Sequence, residues 1–90
     1  MAKRNKLEII RDILELIREN HNSIKNTPLL RKSNLSSQGF SEYMKELIEK
    51  DLIKEVQDKK EKKFISLTDK GARYLEKYKS IVGFIEEFEL

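Results

Sequence analysis

HNSIKNTPLLRKSNLSSQGFS, residues 21–41, is the stretch that decides how the rest of the chain is read. It contains no Asp or Glu, although 16 of the 90 residues are acidic and about four would be expected in a window of this length. In their place stand Lys25, Arg31 and Lys32 among Asn22, Ser23, Asn26, Thr27, Ser33, Asn34, Ser36, Ser37 and Gln38. Two helix starts are written into it. Thr27-Pro28 sets a capping hydroxyl before a proline at the first helical position, where the missing N–H costs nothing. Ser36 reads as the cap of the next helix, and Leu35 and Phe40 hold the positions of a hydrophobic staple that fixes the entry angle of the chain. With Ser33-Asn34-Leu35 as the turn, the segment is a short helix-turn-helix swept clear of negative charge. A phosphate backbone needs such a surface opposite it.

Upstream, Asn5 with Glu8 three residues on forms a capping-box-like pair, and Leu7, Ile10, Leu14 and Ile17 recur at helical spacing as far as Asn20. Ile9, Ile13 and Leu16 add a second stripe, so this first helix packs on two surfaces. His21-Asn22-Ser23 reads as loop. Downstream, Phe40, Tyr43, Met44, Leu47 and Ile48 give the third helix its core face, and Lys50-Asp51 ends it. Leu52–Val56 and Lys63–Leu67 read as two short strands. The polar connection between them, Gln57 to Lys62, has neither Gly nor Pro and is expected to be a longer, mobile loop rather than a tight turn. Thr68 caps a last helix with Asp69 in its first turn. Apolar residues continue to Phe88, a helix of about 31 Å from Thr68.

Ninety residues make one domain with a modest core, too small for an enzyme with a deep cleft. The net charge is only +3, but it is polarised. Residues 1–41 carry 8 Lys/Arg against 4 Asp/Glu, and residues 42–90 carry 11 against 12. One face can therefore meet DNA while the total charge stays low. With no cysteine there are no disulfides or thiolate metal sites. No apolar run approaches membrane-spanning length and no signal peptide is visible, so a cytoplasmic, nucleoid-associated protein without a membrane partner is expected. His21 is the only histidine and lacks partners for a metal site or a catalytic triad. Gly39, Gly71 and Gly83 are too scattered for a phosphate loop, and Glu86, Glu87 and Glu89 lack metal-ligand partners. Catalysis, a cofactor, a metal and a small-molecule ligand are accordingly not expected.

Helix, helix, helix, hairpin, helix is the order of a winged helix: an α+β, mostly helical fold with a two-stranded wing and a long C-terminal helix. The chain also resembles a family. Lys6-Leu7-Glu8-Ile9-Ile10-Arg11-Asp12-Ile13-Leu14, Thr27 and Lys32 with Asn34-Leu35-Ser36, Tyr43, Leu47, Leu52-Ile53 and Leu67-Thr68-Asp69-Lys70-Gly71 are similar to the archaeal winged-helix regulator family, which includes small chromatin-associated DNA-binding proteins. The resemblance departs in three places. Pro28, Leu29 and Arg31 stand where the family often has arginine, isoleucine and tyrosine. Asp51 replaces a common glycine, and the wing lacks the frequent glycine turn. On this reading residues 1–68 form the winged helix-turn-helix DNA-binding domain. Residues 69–90 form a dimerisation helix within the same structural unit.

The candidate DNA contacts follow. Lys25, Arg31 and Lys32 would meet phosphates, as would Ser36 and Ser37 around the free N–H groups opening the third helix. Gln38, Ser41, Glu42 and Lys45 face outward opposite the core stripe. Gln38 suits adenine N6/N7, Lys45 a guanine or phosphate, and Glu42 either accepts from cytosine N4 or repels DNA. Lys59, Lys60, Lys62 and Lys63 on the wing suit non-specific phosphate contact, diluted by Asp58 and Glu61. Lys3, Arg4 and Lys6 read either as a basic arm or as a soluble terminus. In the last helix Leu75, Tyr78, Val82 and Ile85 form a coiled-coil-like seam, with Tyr74, Ile81, Phe84 and Phe88 in a second stripe. A homodimer is expected through them, as the resemblance also implies, with Gly83 allowing close approach; the alternative is that this helix folds back over the second stripe of the first helix within one subunit. The expected function is double-stranded DNA binding as a transcriptional regulator. The alternatives are a non-specific chromatin-type protein and a winged helix used for protein–protein contact.

Overall fold

The computed structural model describes residues 4–90. Its elements are α1 (Lys6–Glu19), α2 (Asn26–Ser33), α3 (Ser37–Glu49), β1 (Ile53–Gln57), β2 (Lys63–Leu67) and α4 (Asp69–Glu87). Three of the four helices start on a side chain that satisfies an otherwise partnerless backbone N–H, each worth about 1 kcal/mol. Asn5 Oδ1 accepts from Glu8 N at 2.8 Å, Ser36 Oγ from Gly39 N at 3.1 Å and Thr68 Oγ1 from Gly71 N at 3.0 Å. All three caps coincide with the sequence signals.

The fourth start corrects one. α2 begins two residues earlier than Thr27-Pro28 implies, with Asn26 and Thr27 already helical and Lys25 as the cap residue, without a side-chain cap bond. Pro28 thereby sits third in the helix rather than first. That position is equally free of cost, since the first amides of a helix have no acceptor within it.

α1 supplies the centre of the core. Its Ile10, Ile13, Leu14 and Ile17 are buried against Leu29 of α2, Phe40, Met44 and Leu47 of α3, Ile53, Ile65 and Leu67 of the sheet, and Leu75 of α4, with Ile24 and Leu52 from the connections. Ile48 was expected on the core face but is exposed. It lies about 100° around the helix from Leu47 and beyond the reach of that layer. At Gly71 α4 lies close against the backbone of the preceding connection: a Cβ there would lie 2.1 Å from the carbonyl oxygen of Leu52. Asp51, in the position where the family resemblance suggests glycine, adopts φ 60° in the left-handed region.

β1 and β2 pair antiparallel, with Ile53 opposite Leu67 and Gln57 opposite Lys63. Their connection, Asp58 to Lys62, is longer than a two-residue turn, as the sequence suggested, and is closed by its own hydrogen bonds. Asp58 N donates to Lys62 O at 2.9 Å, Glu61 N donates to Asp58 O at 3.0 Å, and Asp58 Oδ1 accepts from both Lys60 N (2.9 Å) and Lys62 N (2.8 Å). Glu61 takes the left-handed conformation, φ 63°, that glycine usually supplies in a three-residue hairpin loop. A carboxylate bound to two backbone amides thus does the work that a Gly or Pro signal would have announced.

The loop after α1 contributes a further piece of sheet. Ile24 pairs with Ile65 through two backbone hydrogen bonds, Ile24 N to Ile65 O and Ile65 N to Ile24 O. Asn22, at φ 58°, accepts from Leu67 N through its side chain (2.7 Å) and from Ser66 Oγ through its carbonyl (2.7 Å). The start of α2 is thereby tied to the root of the wing. The Cα radius of gyration is 14.0 Å with extents of 50 × 28 × 22 Å, against about 12 Å for a compact domain of this length. The excess comes from α4, about 28 Å long, whose second half leaves the body. Among the described residues no helix is long and apolar enough to cross a membrane.

Candidate nucleic-acid interface

Ser37, Gln38, Ser41, Glu42 and Lys45 are all exposed on α3, on the side away from the buried Phe40, Met44 and Leu47. Ser37, Ser41 and Lys45 recur every four residues and form one line along the helix; Gln38 and Glu42 form the line beside it. No acid lies in the first turn. Ser36 Oγ and the Ser36 carbonyl already serve Gly39 N and Phe40 N, so the N–H groups of Ser37 and Gln38 are the ones left for an anion at the positive end of the helix dipole.

The acids of α3 divide into two kinds. Glu46 accepts from Lys6 Nζ at 2.6 Å and from Lys50 Nζ at 3.1 Å. These hydrogen bonds, first from Lys6 and then from Lys50, hold its carboxyl below the ordinary value of 4.5. The Lys6 ammonium is raised above 10.5 in return, chiefly by the hydrogen bond to Glu46. Glu46 is therefore neutralised by two cations. Glu42 and Glu49 form no ion pair among the described residues.

α2 flanks this surface with cations. Arg31 and Lys32 are exposed in its last turn, where they also complement the helix dipole. Lys32 Nζ makes only a long contact, 3.4 Å, to Asn20 Oδ1. Lys25 at the helix start places its ammonium 5.9 Å from the ring centroid of Phe64 on β2. That contact joins the beginning of α2 to the wing. At the wing itself Lys59, Lys60, Lys62 and Lys63 are exposed, while the charge of Asp58 is partly spent on two backbone amides.

Ion pairing separates these residues from five other cations, while Lys54, Lys70, Arg73, Lys77 and Lys79 are also without an ion pair among the described residues. Every ion pair among the described residues involves Arg4, Lys6, Arg11, Arg18 or Lys50. None involves Lys25, Arg31, Lys32, Lys45, Lys59, Lys60, Lys62 or Lys63. Arg4 and Lys6 are thus structural rather than a basic arm. Arg4 donates to Asp12 Oδ2 (2.7 Å) and to the Ser33 carbonyl (3.0 Å), pinning the end of α2 to α1. Lys3 lies outside the described residues.

The dimerisation residues fall into two groups. Leu75 is only 4% exposed and belongs to the chain's own core, which removes it from any seam between subunits. Tyr78 and Val82 are half-buried beside α1, the ring of Tyr78 lying 5.1 Å beneath the Arg11 guanidinium. The regular spacing of Leu75, Tyr78 and Val82 therefore marks contact with α1. Ile81, Phe84, Ile85 and Phe88 remain 57%, 56%, 41% and 58% exposed, and the rings of Phe84 and Phe88 touch at 4.9 Å between centroids. Gly83 lies roughly opposite this stripe at 100° per residue, so it does not serve close approach there.

Sequence reasoning missed Asn22, Ile24 and Asp58, which position the interface without belonging to it. Ile24 alone carried a signal, being the single large apolar residue of a polar loop.

A winged helix-turn-helix family model matches residues 3–86. Two solved structures share the fold. Sso10a-2, a DNA-binding protein from Sulfolobus solfataricus, superposes with a TM-score of 0.73 at 17% identity, covering 96% of this chain and 86% of that one. F93 from STIV, a winged-helix DNA-binding protein, gives 0.72 at 17% identity, covering 89% and 91%. No curated protein matches significantly.

Proposed function

The chain belongs to the winged helix-turn-helix family, and from that premise we propose that it binds double-stranded DNA as a homodimer and acts as a transcriptional regulator. α3 enters the major groove by its first two turns, with Gln38 reading bases and Ser37, Ser41 and Lys45 beside it. Arg31, Lys32 and Lys25 hold the flanking phosphates, and the wing lysines follow the backbone. The observation that carries this reading is the set of unpaired cations around an α3 surface whose opening turn is free of acid. Arg4, Lys6, Arg11, Arg18 and Lys50 find carboxylates; the cations around α3 find none among the described residues and are left for a partner that supplies its own negative charge. The two solved structures of the same fold are described as DNA-binding proteins, which supports the same partner. Such a protein works where DNA is, in the cytoplasm with the nucleoid.

The homodimer rests on Ile81, Phe84, Ile85 and Phe88. Burying such side chains contributes about 1.5–3 kcal/mol each before association costs. Pairing would also set two recognition helices on one duplex and double the phosphate contacts. Glu42 favours a regulator over a protein that coats DNA indiscriminately. An uncompensated carboxylate on the reading face is tolerated where a cytosine amino group meets it and repelled elsewhere. The test is a fluorescence anisotropy titration with genomic and unrelated duplexes at two salt concentrations. Binding should be salt-sensitive, with discrimination near the low end of the roughly 10³–10⁷ range for specific sites. Failure of micromolar protein to bind any duplex at low salt would refute the proposal.

A further inference from the structure

We propose that Phe64 is a positioning residue of the DNA interface: its ring holds the Lys25 ammonium over the outward face of the wing, so that Lys25 takes one phosphate while Phe64 and Val56 lie against the sugar beside it. This rests on the DNA-binding reading above. It adds an apolar contact to that reading, and a side chain that acts through its neighbour.

The backbone sets these side chains in one row. β2 pairs on one side with β1, Phe64 opposite Val56, and on the other with the loop after α1, Ile65 opposite Ile24. One residue along that antiparallel bridge, Lys25 stands beside Phe64. Side chains alternate between the two faces of a sheet, so Ile24 and Ile65 turn into the core while Lys25, Phe64 and Val56 turn away from it. Lys54, two residues before Val56, shares the outward face, and Glu55 falls on the other. The Lys25 ammonium lies 5.9 Å from the centroid of the Phe64 ring, within reach of a cation–π contact.

Folding alone does not account for this row. Val56 is left 41% exposed beside a half-buried ring, so apolar surface remains in water on a face that carries cations. Lys25 forms no ion pair among the described residues and is held by an aromatic face instead. The difference matters for binding. A carboxylate would neutralise the ammonium, whereas a ring restrains it and leaves its charge for an incoming anion. Restraining a long side chain beforehand also removes part of the ordering cost of association.

Charge and shape together name the occupant. Lys25 and Lys54 flank the apolar pair, and Asp58, two residues beyond Val56, is engaged by the amides of Lys60 and Lys62. The occupant must be anionic and must carry hydrocarbon surface between its charges. A DNA strand has both, because the deoxyribose between successive phosphates presents apolar C–H faces. An acidic polypeptide would answer the same charges. Lys25, however, opens α2, the helix that flanks the outward face of α3, so a duplex lying on α3 is the nearer occupant.

Anisotropy titrations of full-length wild type, Lys25→Ala, Phe64→Leu and the double variant form a thermodynamic cycle, with thermal melts as the control for folding. Phe64→Leu should weaken duplex binding roughly 2- to 10-fold per subunit. It should leave the salt slope intact, since no charge is lost. In the Lys25→Ala background the same change should cost little, because the side chain it positions is gone. Phe64→Tyr, which keeps the ring, should bind like the wild type, and Val56→Thr, which keeps the shape but adds a hydroxyl, should bind more weakly at an unchanged slope. Equal losses from Phe64→Leu in both backgrounds, or Phe64→Tyr as weak as Phe64→Leu, would overturn the proposal while leaving DNA binding standing. So would Val56→Thr binding as tightly as the wild type. A proton spectrum of the wild type decides the ring contact even if Phe64→Leu does not fold. The ε-methylene protons of Lys25 should resonate upfield of those of the other lysines, and coincidence with them would overturn the proposal as well. A wild type that binds no duplex would instead remove the DNA reading beneath it.

Discussion

Removing Arg31 or Lys32 should change the salt dependence of DNA binding by an amount that can be worked out beforehand. Both side chains are exposed in the last turn of α2, and neither is engaged by a carboxylate. Each is therefore assigned one phosphate per subunit. Each phosphate neutralised contributes about 0.9 to the slope of log K against log salt, so a dimer touching roughly six to eight phosphates should show a slope of about −5 to −7. Arg31→Ala or Lys32→Ala deletes two contacts per dimer and should bring the slope about 1.8 closer to zero. Extrapolated from molar salt to 0.1 M, that is about 60-fold in affinity, or roughly 2.5 kcal/mol, nearly equal for every sequence. The fold should lose less, about 0.3–1 kcal/mol, from the missing cation at the helix end. Anisotropy titrations between about 50 and 300 mM salt give the slope, and thermal melts give the control. Slopes unchanged in both variants would show that α2 does not lie against the backbone, and the assigned orientation of the helix-turn-helix would be wrong.

Gln38→Ala should alter the ranking of duplexes by about 1–3 kcal/mol at one base position while leaving the salt slope intact, checked by competition with single-base variants; a uniform loss over all variants would count against base reading. Ile81→Glu with Ile85→Glu should give monomers by light scattering and, with the contacts of one subunit lost, much weaker DNA binding; a stable dimer would place the interface elsewhere. Gly71→Ala drives a Cβ to 2.1 Å from a backbone oxygen that cannot move aside, so chemical denaturation should show a loss at or above the roughly 1–3 kcal/mol usual for overpacking; a loss below that range would mean that α4 shifts freely. Glu46→Gln should flatten the acid limb of stability. The lowered Glu46 pKa means that the ion pair stabilises above the ordinary value of 4.5 and is lost as pH falls through the folded value, whereas the raised Lys6 pKa holds its share until pH climbs past 10.5; denaturation midpoints from about pH 3 to 7 that fall equally in both proteins would refute this.

The elements were legible because each is announced by a residue whose chemistry serves one position. Asn5, Ser36 and Thr68 cap helices because a short oxygen-bearing side chain can reach the N–H three residues on, and few alternatives do so. Leu29, Phe40, Leu47 and Leu67 are buried because nothing else on those faces could be. The wing turn escaped notice for the opposite reason. Asp58 binds two amides there, and Glu61 accepts a left-handed backbone, yet both residue types are commonplace in solvated connections. Leu75, Tyr78 and Val82 misled because helical spacing states that a face is buried and not against what. α1 proved to be their partner.

The candidate interface was legible only as a depletion. An acid-free stretch marks where an anion can approach, but it does not say which cations the fold will leave unpaired. Arg4 and Lys6 look no different in sequence from Lys59 and Lys60. What separates them is that Asp12 and the Ser33 carbonyl meet Arg4 and Glu46 meets Lys6 through tertiary contacts spanning 8, 29 and 40 residues, whereas the wing lysines stand around the hairpin turn and form no ion pair among the described residues. The fold thus assigns its cations by distance from its own acids. Arg4 and Lys6 tie α1 and its start to α2 and α3, whereas those on α2, the outer face of α3 and the wing form no ion pair among the described residues. Lys25 lies between the two sets: its stem runs over Phe64, and its ammonium still faces outward at the start of the helix. The same physics that makes this face useless for stability makes it available for DNA.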